Sequence, residues 1–240
     1  MDLKNKTHLY AIGCSHMVGS EISGPGVTER VKVNVLNSWS GQLAKQYSLN
    51  YINHSEPGSS NEFAMRSTID FVSKWLHEGR DPAELFVVVG WTTNERVEFT
   101  WDDKHVHWAN GSDAEWYKES TGGDFTTWFK ALQLYHTDYN FGLFKKMTYM
   151  NMVNSFLKSV GVDHIQVNNC ASIDENSLDH LRLRHLDHTF PNDIFFEKHN
   201  SFIERYNTKD NTAHFTSWLH ADKHIHTLYA TDVKQFIEEL

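Results

Sequence analysis

A chain of 240 residues is long enough to bury a substantial core, and 31 acidic against 22 basic side chains, a formal charge of −9, exclude a nucleic-acid surface built on clustered cations. No apolar window reaches 18 residues and the start, Met1-Asp2-Leu3-Lys4-Asn5-Lys6, is polar, so one cytoplasmic domain over residues 1–240 is expected, without nucleic-acid or membrane partners. Two cysteines, Cys14 and Cys170, are too few for a disulfide framework, and the 16 histidines lack zinc-site spacing, so no metal or other cofactor is expected.

Leu9-Tyr10-Ala11-Ile12 is a short apolar run that stops at Gly13 and presents Cys14-Ser15-His16. It reads as a buried first strand, with Ser15 at the carboxyl end of the sheet where open α/β sheets bind ligands. Residues 18–37 begin turn-rich and read as a loop over the site. Ser38 is placed to cap a short helix carrying Trp39, Leu43 and Ala44, and Tyr51–His54 reads as a second strand. Pro57-Gly58-Ser59-Ser60-Asn61 is a turn into a helix over 61–76, with Met65, Ile69, Val72 and Leu76 as its apolar stripe.

Leu85–Gly90 is apolar on both faces, as a central parallel strand must be, and runs into Trp91-Thr92-Thr93-Asn94-Glu95-Arg96. From about 100 to 140 regularity fades while aromatics accumulate, among them Trp101, Trp108, Trp116, Tyr117, Phe125, Trp128, Tyr135 and Tyr139. Such a stretch is an insertion whose rings either pack it onto the body or meet substrate. Residues 141–160 read as a helix with Phe144, Met147, Val153, Phe156, Leu157 and Val160 inward and Lys145, Lys146 and Lys158 outward. Gly161 ends it, and Val162–Val167 follows as a strand. Residues 171–213 are polar and His-rich, with Ile194-Phe195-Phe196 and Phe202-Ile203 as the apolar exceptions. The last helix carries Leu228, Tyr229, Val233, Phe236 and Ile237, and His214, His220, Asp222 and His224 precede its apolar run.

Ester hydrolysis needs a nucleophile, a base, and donors for the developing oxyanion. Ser15 can be the first. The amide of Gly58, in a turn entering a helix, and the side chains of Thr92 or Asn94 can be donors. A late histidine can be the base. His16 reads as a loop hydrogen-bonder, Cys14 as a small buried hydrophobe, and Arg96 and Glu98 as structural charges.

These segments resemble, in order, the signature blocks of the SGNH, or GDSL-like, hydrolase superfamily: Gly13-Cys14-Ser15, Pro57-Gly58-Ser59-Ser60-Asn61, Gly90-Trp91-Thr92-Thr93-Asn94 and a histidine block before the C-terminal helix. The wording of several blocks is similar to small hydrolase-like proteins of tailed phages. The resemblance implies a three-layer α/β/α sandwich of flavodoxin-like topology, with a mostly parallel sheet of about five strands. It also implies a serine esterase that removes an acyl group, such as a carbohydrate O-acetyl, through a Ser15 acyl-enzyme. Ser15, His220 and Asp222 would be its catalytic set, with Gly58, Asn94 and Thr92 around the oxyanion.

Departures from the family pattern are specific. Gly13-Cys14-Ser15 lacks the Asp of Gly-Asp-Ser, and Thr92 stands in the asparagine slot with Asn94 two residues on. No Asp-x-x-His occurs: Ser217 lies three before His220 and Ala221 three before His224. His220 is favoured because some family members carry a second histidine several residues on and then an aromatic-Ala pair, here His226 and Tyr229-Ala230. Asp222, Asp210 behind it, or a backbone carbonyl is expected to orient it. The alternative is a binding or virion-associated protein that kept the scaffold without its chemistry. The substrate under the first reading is a small-molecule or glycan ester.

Overall fold

The computed structural model describes residues 1, 3–24, 31–101, 104–108, 118–119, 122–135, 139–173, 195–196, 200–216 and 219–240. Pro25, Gly26, Trp116, Tyr117, Ile194 and Ser217 lie outside them, as do the side chains of Trp101, Tyr135 and Tyr139. The strands are β1 (His8–Ile12), β2 (Asn50–Asn53), β3 (Leu85–Trp91), β4 (Val97–Trp101), β5 (Lys104–Trp108), β6 (Asp163–Asn168) and β7 (Phe195–Phe196). The helices are α1 (Ser15–Val18), α2 (Lys32–Asn37), α3 (Trp39–Gln46), α4 (Asn61–His77), α5 (Thr126–Tyr135), α6 (Tyr139–Ser159), α7 (Phe202–Tyr206) and α8 (Lys223–Glu239).

Five strands form one parallel sheet in the order β2-β1-β3-β6-β7. This is the flavodoxin-like strand order, and its switch point lies between β1 and β3. Alternation along the strands sorts the core into two layers. Leu9, Ala11, Phe86, Val88, Ile165 and Val167 face Trp39 and Leu43 of α3 and Ile225, Tyr229, Val233 and Ile237 of α8. Tyr10, Ile12, Leu85, Val87 and Val89 face Phe63, Val72 and Trp75 of α4 and Leu143, Met147, Met150, Val153 and Leu157 of α6. The result is the expected α/β/α sandwich. Ser38 and Ser60 cap α3 and α4 by accepting from Gly41 N and Phe63 N.

The structure corrects the helix faces. On α4 the buried positions are Phe63, Ala64, Thr68, Val72 and Trp75, while Met65, Ile69 and Leu76 flank them half-buried. On α6 Phe144 is exposed, and Lys146, expected outward, is fully buried with its Nζ donating to Ala171 O at 2.8 Å. Burial pulls its pKa down to about 8. On α8 Leu228 is exposed.

β4 and β5 pair as an antiparallel hairpin next to α5. Val106, Trp108, Phe125 and Phe129 bury one another there, and Phe99 stacks on the partly exposed Trp128 at 4.7 Å. Packing therefore accounts for Trp108 and Phe125.

Candidate active site

The site is built where β1 and β3 end. Gly13 lies so close to β3 that a Cβ there would meet Gly90 O at 2.5 Å, and one on Gly90 would meet the side chains of Asn169 and Met17 at 2.1 and 2.7 Å. Only glycine permits either approach. The backbone then turns into α1, with Ser15 its first residue and Cys14 its N-cap. Ser15 is buried, along with His16 and Met17.

The segment containing Gly58 is tied to this turn. Ser59 Oγ donates to Gly13 O at 2.9 Å, and Glu56 N donates to the same carbonyl at 3.0 Å. Gly58 adopts a left-handed φ of 78°, and a Cβ there would meet no atom within 4 Å. Asn61 joins the start of α4 to the end of β3: its Nδ2 donates to Thr93 O at 3.0 Å and its Oδ1 accepts from Thr92 N at 2.8 Å. Serine, glycine and asparagine segments are thereby one hydrogen-bonded rim.

Thr92 and Asn94 differ sharply in what they offer. The Thr92 hydroxyl is engaged with Cys170 Sγ at 3.5 Å. Asn94 is buried, and neither its Oδ1 nor its Nδ2 has a hydrogen-bond partner among the described residues. It lines a narrow cleft with Asn61, Arg96 and Lys146. A buried amide without partners has an outstanding requirement for one, which a bound ligand can meet. Of the other polar residues, Arg96 donates to Ser59 O at 3.3 Å, and Glu98 pairs with Arg66 at 2.6 Å.

The late histidines divide into three kinds. His226 is buried, its Nδ1 accepts from Trp39 N at 3.1 Å, and burial pushes its pKa down to about 3, so it is a neutral core residue. His214 pairs with Asp222 at 2.7 Å and lies against the exposed His224, ring centroids 4.8 Å apart. His220 alone among the four has its ring against that of His16, at 5.4 Å, and so reaches the residue next to Ser15.

The carboxylate that holds His220 is Glu21. Its Oε2 lies 2.9 Å from His220 Nδ1 and accepts from Thr216 Oγ1 at 2.6 Å, while Thr216 Oγ1 accepts from His220 N at 3.2 Å. Asp222, expected in this role, is committed elsewhere: Oδ2 to His214, and Oδ1 to the amides of His224 and Ile225 as the N-cap of α8. Glu21 follows α1 with a left-handed φ of 64°. Turn composition gives no hint of its partner, which stands 199 residues away.

Burial, and then the charge of His16, hold the His220 pKa below its ordinary value, with the Glu21 hydrogen bond opposing them. The ring is therefore neutral near pH 7. Two donors converging on Glu21 Oε2 suit an ionised carboxylate, which can only accept. Nδ1 then carries the proton and Nε2 is left as a basic nitrogen. Among the described residues no three His, Cys, Asp or Glu side chains are grouped to hold a metal ion, and no helix is long and apolar enough to cross a membrane.

A parallel sheet in flavodoxin-like order with a serine at its switch point defines an α/β protein of the kind that binds ligands on loops at the strand ends. Solved structures locate it further. A G-D-S-L family protein described as lipolytic, from Desulfitobacterium hafniense DCB-2, superposes with a TM-score of 0.50 at 13% identity, over 96% of this chain and 99% of that one. The psychrotrophic esterase EstA from Pseudoalteromonas sp. superposes with a TM-score of 0.50 at 10% identity, over 98% of each chain. No family model and no curated protein matches the sequence. The chain has the SGNH hydrolase-like fold.

Proposed function

We propose that this chain is a serine esterase acting on a short acyl ester, with Ser15 as nucleophile and His220 as base. The observation that carries the reading is the His220–Glu21 pair: a neutral imidazole, held through Nδ1 by a carboxylate from the loop after Ser15, packed on the residue beside that serine. In the first step Ser15 Oγ attacks the ester carbonyl while His220 Nε2 takes its proton. The resulting imidazolium is stabilised by Glu21, and its proton passes to the leaving alcohol. Gly58 N–H, Ser15 N–H and the Asn94 amide are the donors proposed for the oxyanion. Water then attacks the acyl-serine by the same route in reverse.

The buried surroundings of Ser15 favour a small acyl group, and an O-acetylated glycan is the substrate class to try first. The test is a fluorophosphonate probe together with p-nitrophenyl esters of increasing chain length. Labelling confined to Ser15, lost in Ser15→Ala, and turnover highest for acetate are expected. A folded protein that neither labels nor turns over any ester would leave a binding protein on the same scaffold.

A further inference from the structure

The chain has two cysteines, and the fold brings them together from 156 residues apart, with Sγ atoms at 3.5 Å. Both are free thiols. Cys14 is completely buried and caps α1 directly before Ser15, while Cys170 lies just past β6 and is partly exposed. The pair is not part of the hydrolytic set described above.

We propose that Cys14 and Cys170 form an oxidation-sensitive dithiol, which a peroxide converts to a disulfide that displaces Ser15 from its working position. The two thiols are unequal in a way that suits this chemistry. Hydrogen bonding from Cys14, with the charges of Arg96 and Lys146 and the Thr92 hydroxyl, brings the Cys170 thiol down to about 6. The same contact and burial hold Cys14 well above the usual range. Cys170, the less buried residue of the two, is thus the thiolate that meets a small oxidant such as a peroxide, and Cys14 is the thiol that resolves it.

The Cys170 thiolate attacks one peroxide oxygen and the O–O bond breaks. The sulfur is oxidised to a sulfenic acid, and the leaving hydroxide takes up a proton to become water. Cys14 then gives up its proton and attacks the Cys170 sulfur. The S–S bond forms as the S–O bond breaks, and a second water leaves. Two thiols have lost two electrons and one peroxide has gained them.

Closing from 3.5 Å to the about 2.05 Å of a disulfide draws Cys14 toward β6. Cys14 N-caps α1, so the start of that helix moves with it and shifts Ser15 relative to His220, a misplacement that costs roughly tenfold or more in rate. This consequence rests on the hydrolase reading, but disulfide formation does not.

The experiment treats the full-length protein with hydrogen peroxide, digests it without reductant and maps peptides by mass spectrometry beside an ester assay. A crosslinked peptide containing Cys14 and Cys170 is expected. Turnover should fall tenfold or more, return with dithiothreitol, and remain unchanged by peroxide in Cys170→Ser, whose untreated activity matches the parent. Methionine oxidation is separated from this effect because dithiothreitol does not restore it. Cys170 found as sulfinic acid without a crosslink overturns the proposal, as does a crosslinked protein of undiminished activity. If the protein hydrolyses no ester, the hydrolase reading fails, and the peptide map alone decides whether the dithiol closes.

Discussion

Two histidines of one short stretch before the last helix each meet a carboxylate, and the two pairs could hardly differ more in setting. His214 and Asp222 meet at 2.7 Å with side chains 38% and 46% exposed, whereas His220 and Glu21 meet at 2.9 Å with side chains 14% and 3% exposed. In the first, water surrounds both side chains and competes for every hydrogen bond, and such exposed pairs contribute about 0–1 kcal/mol. In the second, the partners come from opposite ends of the chain, and Thr216 binds the carboxylate as well. Ion-pair distance alone therefore says little. Burial, and what lies on the far side of the ring, separate a surface pair from a candidate catalytic one.

The strongest way to break this contrast is to remove each imidazole. His220→Ala is expected to lower kcat/KM for p-nitrophenyl acetate by roughly 10³-fold or more, because the serine loses its base. His214→Ala should leave it within about twofold. Equal losses would dissolve the distinction.

The acid comes next. Glu21→Gln should lower kcat by roughly 10²-fold or more with KM little changed, since the amide can no longer stabilise the imidazolium. The pH profile gives a readout that mere loss of packing would not move. A base acts when neutral, so kcat/KM rises with pH through the His220 pKa, which lies below the ordinary imidazole value of about 6.5. Glu21 raises that pKa against burial, so its removal lowers it further. The rising limb of Glu21→Gln is therefore displaced to lower pH even as the plateau falls. A limb that stays put or moves up would separate Glu21 from His220.

The centre of the sheet was legible because β1 and β3 are apolar runs that reach Gly13 and Gly90, and the same glycines marked the rim. Spacing and family likeness single out Ser15, Gly58, Thr92, Asn94 and His220 as candidates. They miss Glu21, because a pairing across 199 residues leaves no periodic trace, and a carboxylate in a turn looks like any solvated one. Asp222 drew attention by standing next to the histidines, but proximity in sequence there reflects a helix cap. Lys146 misled for a related reason. Hydrophobic periodicity scores the amine and not the aliphatic stem, which lies in the core while the Nζ reaches Ala171 O.

The smallest expected effect sharpens what the exposed pair is for. Asp222 does two things in the structure, capping α8 and pairing with His214, and two substitutions separate them. Asn caps a helix about as well as Asp, so Asp222→Asn removes the charge and the pair at a cost of no more than about 1 kcal/mol. Asp222→Ala removes the cap as well, and should lose roughly 1 kcal/mol beyond that, a fall of about 2–4 °C in Tm for a chain of this size. Salt should narrow the gap between the parent and Asp222→Asn, because a half-exposed pair is screened. It should leave most of the gap between Asn and Ala, which is a hydrogen-bonding effect. Both variants should retain the parent's kcat. A large loss in Asp222→Asn, at unchanged stability, would transfer the catalytic acid from the buried pair to the exposed one.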